Sequence, residues 1–203
     1  MTSTLPSIPH RSGMENTRER YGSIARILHW SIAWLFLASY AAVYTRHWFT
    51  LPKTPENWIA LQTHLVVGVL IAILVVARVI WRVRSPQPDD VPGTRLEHLA
   101  SHAMHIALYF VMIIMPISGY LGTGVAIEVP LLGDIPSFKD TALFQSLGVD
   151  WETFEKPVDF VHKNGGAYVV WVLVVLHAAA AFYHHFVRRD DVMRRMLSPS
   201  RQR

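Results

Sequence analysis

Eleven histidines and no cysteine set the metal chemistry open to this chain of 203 residues. Without thiolates there is no disulfide, no thiolate-held iron–sulfur cluster and no covalent C-x-x-C-H attachment of a cofactor. Imidazole remains as the ligand for a transition metal, and as a group that titrates near neutral pH. One interval stands out: His162 and His177 are joined by K-N-G-G-A-Y-V-V-W-V-L-V-V-L, a nearly unbroken apolar stretch. At ~1.5 Å per helical residue they lie ~22 Å apart, about the depth of a bilayer's hydrocarbon core. Fifteen steps of ~100° leave a net turn of only ~60°, so both rings leave such a helix on roughly one side. The pattern is that of one helix carrying two ligands stacked across a membrane.

The elements that must position them are apolar and long. Hydrophobic residues make up 51% of the chain and charged residues 17%. They fall into four runs, about 27–45, 60–81, 101–124 and 165–187. Each is long enough to cross ~30 Å of hydrocarbon. Polar, proline-bearing connectors separate them: Pro52 and Pro55 after the first, and S-P-Q-P-D-D-V-P-G after the second. Pro116 lies within the third, where a membrane helix accepts a kink. Residues 125–160 read as the longest loop. The expectation is an all-α membrane protein, a four-helix transmembrane bundle over 21–197, with a flexible tail at 1–20 and a short one at 198–203. The 1–20 tail lacks the apolar core of a signal peptide.

Charge gives the orientation. Fourteen of the nineteen Lys and Arg residues fall on the side of the termini and the 82–98 loop, with seven acids; five fall on the other side, with eight acids. The positive-inside rule then puts both termini in the cytoplasm. The net charge of +4 is therefore a topology signal, with anionic lipid rather than nucleic acid as its partner.

Sorted by depth, the histidines form two layers. His29 starts the first span and His102 and His105 the third, all at the cytoplasmic end, with His177 in the cytoplasmic half of the fourth and His184 and His185 at that interface. His64 and His162 stand at the periplasmic ends of the second and fourth. An imidazole in hydrocarbon is costly unless it is hydrogen-bonded or ligates a metal. Two facing imidazoles can hold a haem iron from both sides and leave no open position, which suits electron transfer rather than oxygen binding. Gly68, Gly165, Gly166 and Ala178–Ala181 would make room for a macrocycle; close helix packing is the other use of such residues.

Several motifs together resemble the bacterial cytochrome b561 family: R-I-L-H-W at 26–30, H-x-x-x-G at 64–68 with Arg78 and Trp81-Arg82 behind it, H-x-A-L-Y…P-x-S-G-Y at 105–120, and L-H-A-A-A-A-x-x-H-H at 176–185. The resemblance covers about 20–197. It implies four membrane helices holding two non-covalent b haems, with ubiquinone as the electron acceptor. It also implies either superoxide as the donor or a periplasmic redox partner for which the chain is the membrane subunit. By that resemblance His29 and His177 hold the cytoplasmic haem, and His64 and His162 the periplasmic one. Depth agrees for the second pair. For the first, His105 or His102 stands as a rival, because His177 lies ~16 Å above Arg188. A fourth helix projecting into the cytoplasm would remove that discrepancy. The fifteen-residue interval also calls for a local bulge or a changed ring tilt.

Around these ligands, Arg26, Arg78 and Arg82 could pair with cytoplasmic propionates, and Lys163 and Asn164 with periplasmic ones. Trp30 could pack on a ring. His102, His105, His184 and His185 are candidates for a protonatable quinone site. The 125–160 segment is acidic, with Phe138, Phe144, Trp151 and Phe154 interleaved as a possible lid. Superoxide is an anion, so a site that captures it should present a positive field. Only Arg46, Lys139, Lys156 and Lys163 could supply one there; net acidity would instead suit a basic protein donor.

Overall fold

The computed structural model describes residues 13–197. Four long helices dominate it, all long and apolar enough to cross a membrane: α1 (Ser23–Trp48), α2 (Pro55–Arg84), α3 (Arg95–Gly122) and α5 (Trp151–Arg188). Between α3 and α5 lie a short antiparallel hairpin, β1 (Ile127–Val129) and β2 (Gly133–Ile135), and the brief helix α4 (Ala142–Ser146). A last turn, α6, spans Arg194–Leu197.

Local chemistry sets the helix starts. Thr54 accepts a bond from the Asn57 amide, with Pro55 at the first helical position. Thr94 and Glu97 form a reciprocal capping box on α3. At α1 the cap is Gly22, and the free amides of Ser23 and Ile24 are met by the carbonyls of Gly13 and Met14. A Cβ at Gly22 would lie 2.1 Å from the Met14 carbonyl oxygen, so only glycine fits. Arg189, at φ 55°, ends α5 in the left-handed region.

Two helical hairpins make the bundle. α1 packs chiefly on α2, and α3 on α5, with α2 touching α3. A core of Ile32, Ile71 and Val75, flanked by Leu35, Phe36 and Met112, joins them. Elsewhere large apolar side chains point outward: Trp34 is 68% exposed, Ile106 70% and Phe110 63%. Such a surface is stable against lipid and not against water.

The bundle has two distinct ends. At the terminal end, Asn16 donates to the Pro86 carbonyl, Arg195 to the Asp89 carbonyl, and Arg188 to the Pro92 carbonyl. These bonds hold the segments around Asn16 and Arg188–Arg195 to the 85–94 loop. At the hairpin end, Gln62 of α2 bonds both the Ala126 carbonyl and the Glu128 amide, and Trp58 donates to the Glu128 carboxylate.

Three expectations need correction. Residues 151–160 are helix, not loop, so the fourth helix begins fourteen residues before the 165 expected from hydropathy. Its first part is amphipathic and polar, which hides it from a search for apolar runs, yet Asp150 caps it by accepting from the Thr153 amide at 3.1 Å. α1 and α2 also run past both ends of their apolar runs, and α3 starts earlier, at Arg95, but ends at Gly122. Residues 13–20 are not a loose tail: Asn16 is buried and binds both Pro86 and the Gly22 amide. The tail readings for 1–12 and 198–203 lie outside the described residues.

Candidate functional site

Four helices bring the histidines together in two groups. Near the hairpin end, the rings of His64 (α2) and His162 (α5) have centroids 5.9 Å apart. Near the terminal end, His29 (α1) and His177 (α5) are 6.2 Å apart. Imidazole–metal bonds run about 2 Å, so two rings on opposite sides of one iron have centroids about 6 Å apart. Both spacings fit an iron held from two sides. A haem needs only two protein ligands per iron.

The fourth helix is not regular between its two histidines. Gly165–Val170 form a π turn, and a second covers Tyr183–Arg188. A π turn takes up one residue, so fifteen residues act as about fourteen and the net rotation changes by about 100°. This is the bulge the interval called for. The carbonyl of Gly166 in that turn accepts the Tyr40 hydroxyl of α1 at 2.7 Å.

At the hairpin-side pair each ring is gripped by a neighbouring helix. His64 Nδ1 lies 2.9 Å from the Ser39 hydroxyl of α1. His162 Nδ1 lies 3.0 Å from the Met115 carbonyl and 3.3 Å from the Ser118 hydroxyl, both of α3. A proton on Nδ1 would be spent on these oxygens, which leaves Nε2 as the nitrogen for a metal. Gly119 makes the approach possible: a Cβ there would stand 2.8 Å from His162 Cε1. Gly68, one turn after His64, fits the role of making room, since a Cβ there would meet nothing within 4 Å. Gly165 and Gly166 serve close packing instead, against the Met115 side chain.

The terminal-side group is different. His105 of α3 also reaches His177, at 6.0 Å between centroids, so distance alone does not choose between His29 and His105. His102 is set apart, exposed and bonded to the carbonyl of His98. Among the described residues four buried polar side-chain atoms have no partner: Arg26 Nε, His29 Nδ1, Trp81 Nε1 and His185 Nδ1. All four belong to this end. Arg and Trp nitrogens are obligate donors, and burying one unpaired costs about 1–3 kcal/mol. A haem propionate supplies the acceptors they lack. Arg78 donates to the Tyr109 hydroxyl at 3.3 Å and stacks its guanidinium over that ring. The haem expectation therefore fits both groups, by spacing at each and by unmatched donors at one.

Other expected contacts fall elsewhere. Lys163 is tied to Asp159 on α5, and Asn164 bonds the Phe160 carbonyl. Arg82 bonds Gln87 in the 85–94 loop. Trp30 touches the His29 ring at 5.1 Å but gives its N–H to the Met196 carbonyl of α6. His184 pairs with Asp190 at 2.6 Å, and Arg188 bridges Asp190 to Glu97. Burial opposes the Asp190 charge, but the His184 bond, the Val192 amide and Arg188 together hold its carboxyl below the usual range. The aromatics Phe138, Phe144, Trp151 and Phe154 pack on each other at 5.3–6.0 Å beside Tyr120, tying the end of α3 to the start of α5. Sequence reasoning missed Ser39, Ser118 and Gly119. Ser118 and Gly119 sat inside the quoted P-x-S-G-Y motif without a role; Ser39 had no signal beyond being a hydroxyl in an apolar helix.

A membrane bundle with two facing imidazole pairs along one helix defines a membrane electron-transfer protein of the haem-binding kind. The family model for prokaryotic cytochrome b561 matches residues 20–199, and the chain belongs to that family of b-haem-binding membrane proteins. It is 34% identical to cytochrome b561 homolog 2 of Escherichia coli (strain K12), over 91% of this chain and 95% of that protein. It is 28% identical to cytochrome b561 homolog 1 of the same organism, over 88% and 97%.

Proposed function

We propose that the bundle holds two non-covalent b haems and carries electrons across the bacterial inner membrane to ubiquinone. His64 and His162 ligate one iron, and His29 and His177 the other; Arg26 and Arg78 face the propionates of the second. His105 stands beside His177 as a neighbour of that haem. The terminal end lies in the cytoplasm, as its excess of arginine argues. The observation that carries this reading is the pair of imidazole spacings, 5.9 and 6.2 Å, on one continuous helix.

Two donors suit the opposite face. Superoxide as donor would make the protein a superoxide:ubiquinone oxidoreductase. The second reading is an electron-transfer subunit fed by a protein partner, and one observation favours it. Of the four cations that could attract an anion there, Lys156 is paired with Glu152 and Lys163 with Asp159, while Arg46 bonds the neutral Asn57 and the eight acids of this side outnumber its five Lys and Arg residues. The face is left acidic, which suits a basic donor. Rapid mixing of the oxidised protein with superoxide separates the two. Haem reduction near the diffusion limit selects the first; reduction slower by several orders, with a co-purifying partner, selects the second. A purified protein without a reduced b-type absorption band would end both.

A further inference from the structure

The two histidine pairs differ in what holds the nitrogen remote from the metal. On the hairpin side both Nδ1 atoms face oxygens from other helices: Ser39 for His64, and the Met115 carbonyl with Ser118 for His162. A hydrogen bond from Nδ1–H to an oxygen pushes electron density toward Nε2 and makes the imidazole a stronger donor. Stronger donation stabilises the ferric over the ferrous iron and lowers its reduction potential. Ser118 spends its own proton on the Ile114 carbonyl at 2.7 Å, so its lone pair is turned to the ring. On the terminal side His29 Nδ1 is buried without a partner. The nearest fixed charges there are cationic. Arg26 lies one turn before His29 on α1, and Arg78 is held against Tyr109, one turn after His105 on α3. Positive charge near an iron favours its reduced state. Cations also stand near the hairpin-side pair, Arg46 near His64 and Lys163 near His162 with Asp159 opposing it, so the difference between the pairs rests on the Nδ1 bonds.

Resting on the haem reading above, we propose that Ser39 and Ser118 are positioning residues that make the hairpin-side haem the lower-potential one of the two. With both haems bound, one electron would pass favourably from the hairpin-side iron, oxidised from ferrous to ferric, to the terminal-side iron, reduced from ferric to ferrous. No bond forms or breaks and no proton moves in that step. The bundle is thus polarised toward the terminal end by its own hydroxyls, whatever donor feeds it.

The test is a spectroscopic redox titration of the full-length protein in detergent or nanodiscs. Two steps are expected, and His64→Ala should abolish the lower one. Ser39→Ala and Ser118→Ala should each move the lower step to a more positive potential, leave the upper step in place, and alter the low-spin EPR signal of one haem only. Ser39→Thr, which keeps the hydroxyl, should restore the original step. The proposal is overturned if His64→Ala removes the upper step, or if both serine variants titrate as the parent does. A protein that holds both haems but titrates with one shared midpoint also overturns it while leaving the haem reading standing. Absence of b-type haem would bring down both.

Discussion

The hairpin-side and terminal-side histidine groups sit on one helix, yet the chain builds them in opposite ways. The first is complete in protein terms: two rings, each with its Nδ1 bonded to a neighbouring helix, and a glycine at the point of closest approach. The second is crowded and unfinished: the rings of His29 and His105 both reach His177, and among the described residues four buried polar atoms at that end have no partner. A site with its hydrogen bonds made is preorganised, and adding a cofactor disturbs little. A site with unmatched donors gains its last bonds only when a ligand brings acceptors. The cofactor therefore contributes more to order at the terminal end than at the hairpin end.

The largest expected effect comes from removing a ligand. His162→Ala should halve the haem content and leave the terminal-side haem; pyridine haemochrome analysis with EPR reads this, and retention of both haems would sink the assignment. The next two variants ask which ring serves the second iron. His29→Ala should lose the terminal-side haem, while His105→Ala should keep both with a shifted spectrum. If the two outcomes exchange, His105 is the ligand and α3 takes the place of α1. Gly119→Val should press a side chain into the His162 ring. Overpacking of this kind costs about 1–3 kcal/mol and should loosen the hairpin-side haem several-fold, leaving the other unchanged. An equal loss at both sites in a haem-retention assay would contradict the separation drawn above. Lys163→Ala should change least, within about 0.5 kcal/mol in thermal unfolding and with no change in haem spectrum, because its partner is Asp159 on an exposed face. A shifted hairpin-side spectrum would return Lys163 to the site.

Much of this was legible in the sequence because lipid simplifies it. Apolar runs locate spanning helices, and a histidine inside one is conspicuous. That is how His64, His162 and His177 stood out, and how the need for a bulge in α5 followed from an interval of fifteen. The amphipathic start of α5 was not legible, since residues 151–160 carry Lys156, acids and Pro157 and read as a loop. Nor was the hairpin, whose two three-residue strands are too short for a periodic signal. Ser39 and Ser118 were invisible for a different reason. Serine in a membrane helix usually bonds its own backbone, and only the placement of a second helix shows that a hydroxyl faces a ring. The Lys163–Asp159 pair was not legible either, because it depends on both side chains meeting one turn apart on a helix start that reads as polar loop.

The π turn at Gly165–Val170 has a consequence for chain length. It stores one residue beyond what an α-helix would use over that distance. Losing one residue between 165 and 170 should let the turn relax to α-helix while His162 and His177 keep their mutual bearing, and both haems should remain. Losing one between 171 and 176 has no such reserve to draw on, and should swing one ring by about 100° and cost a haem. In the currency of mutation, a six-residue window of this gene is tolerant of a deletion that its neighbours, a few codons away, are not.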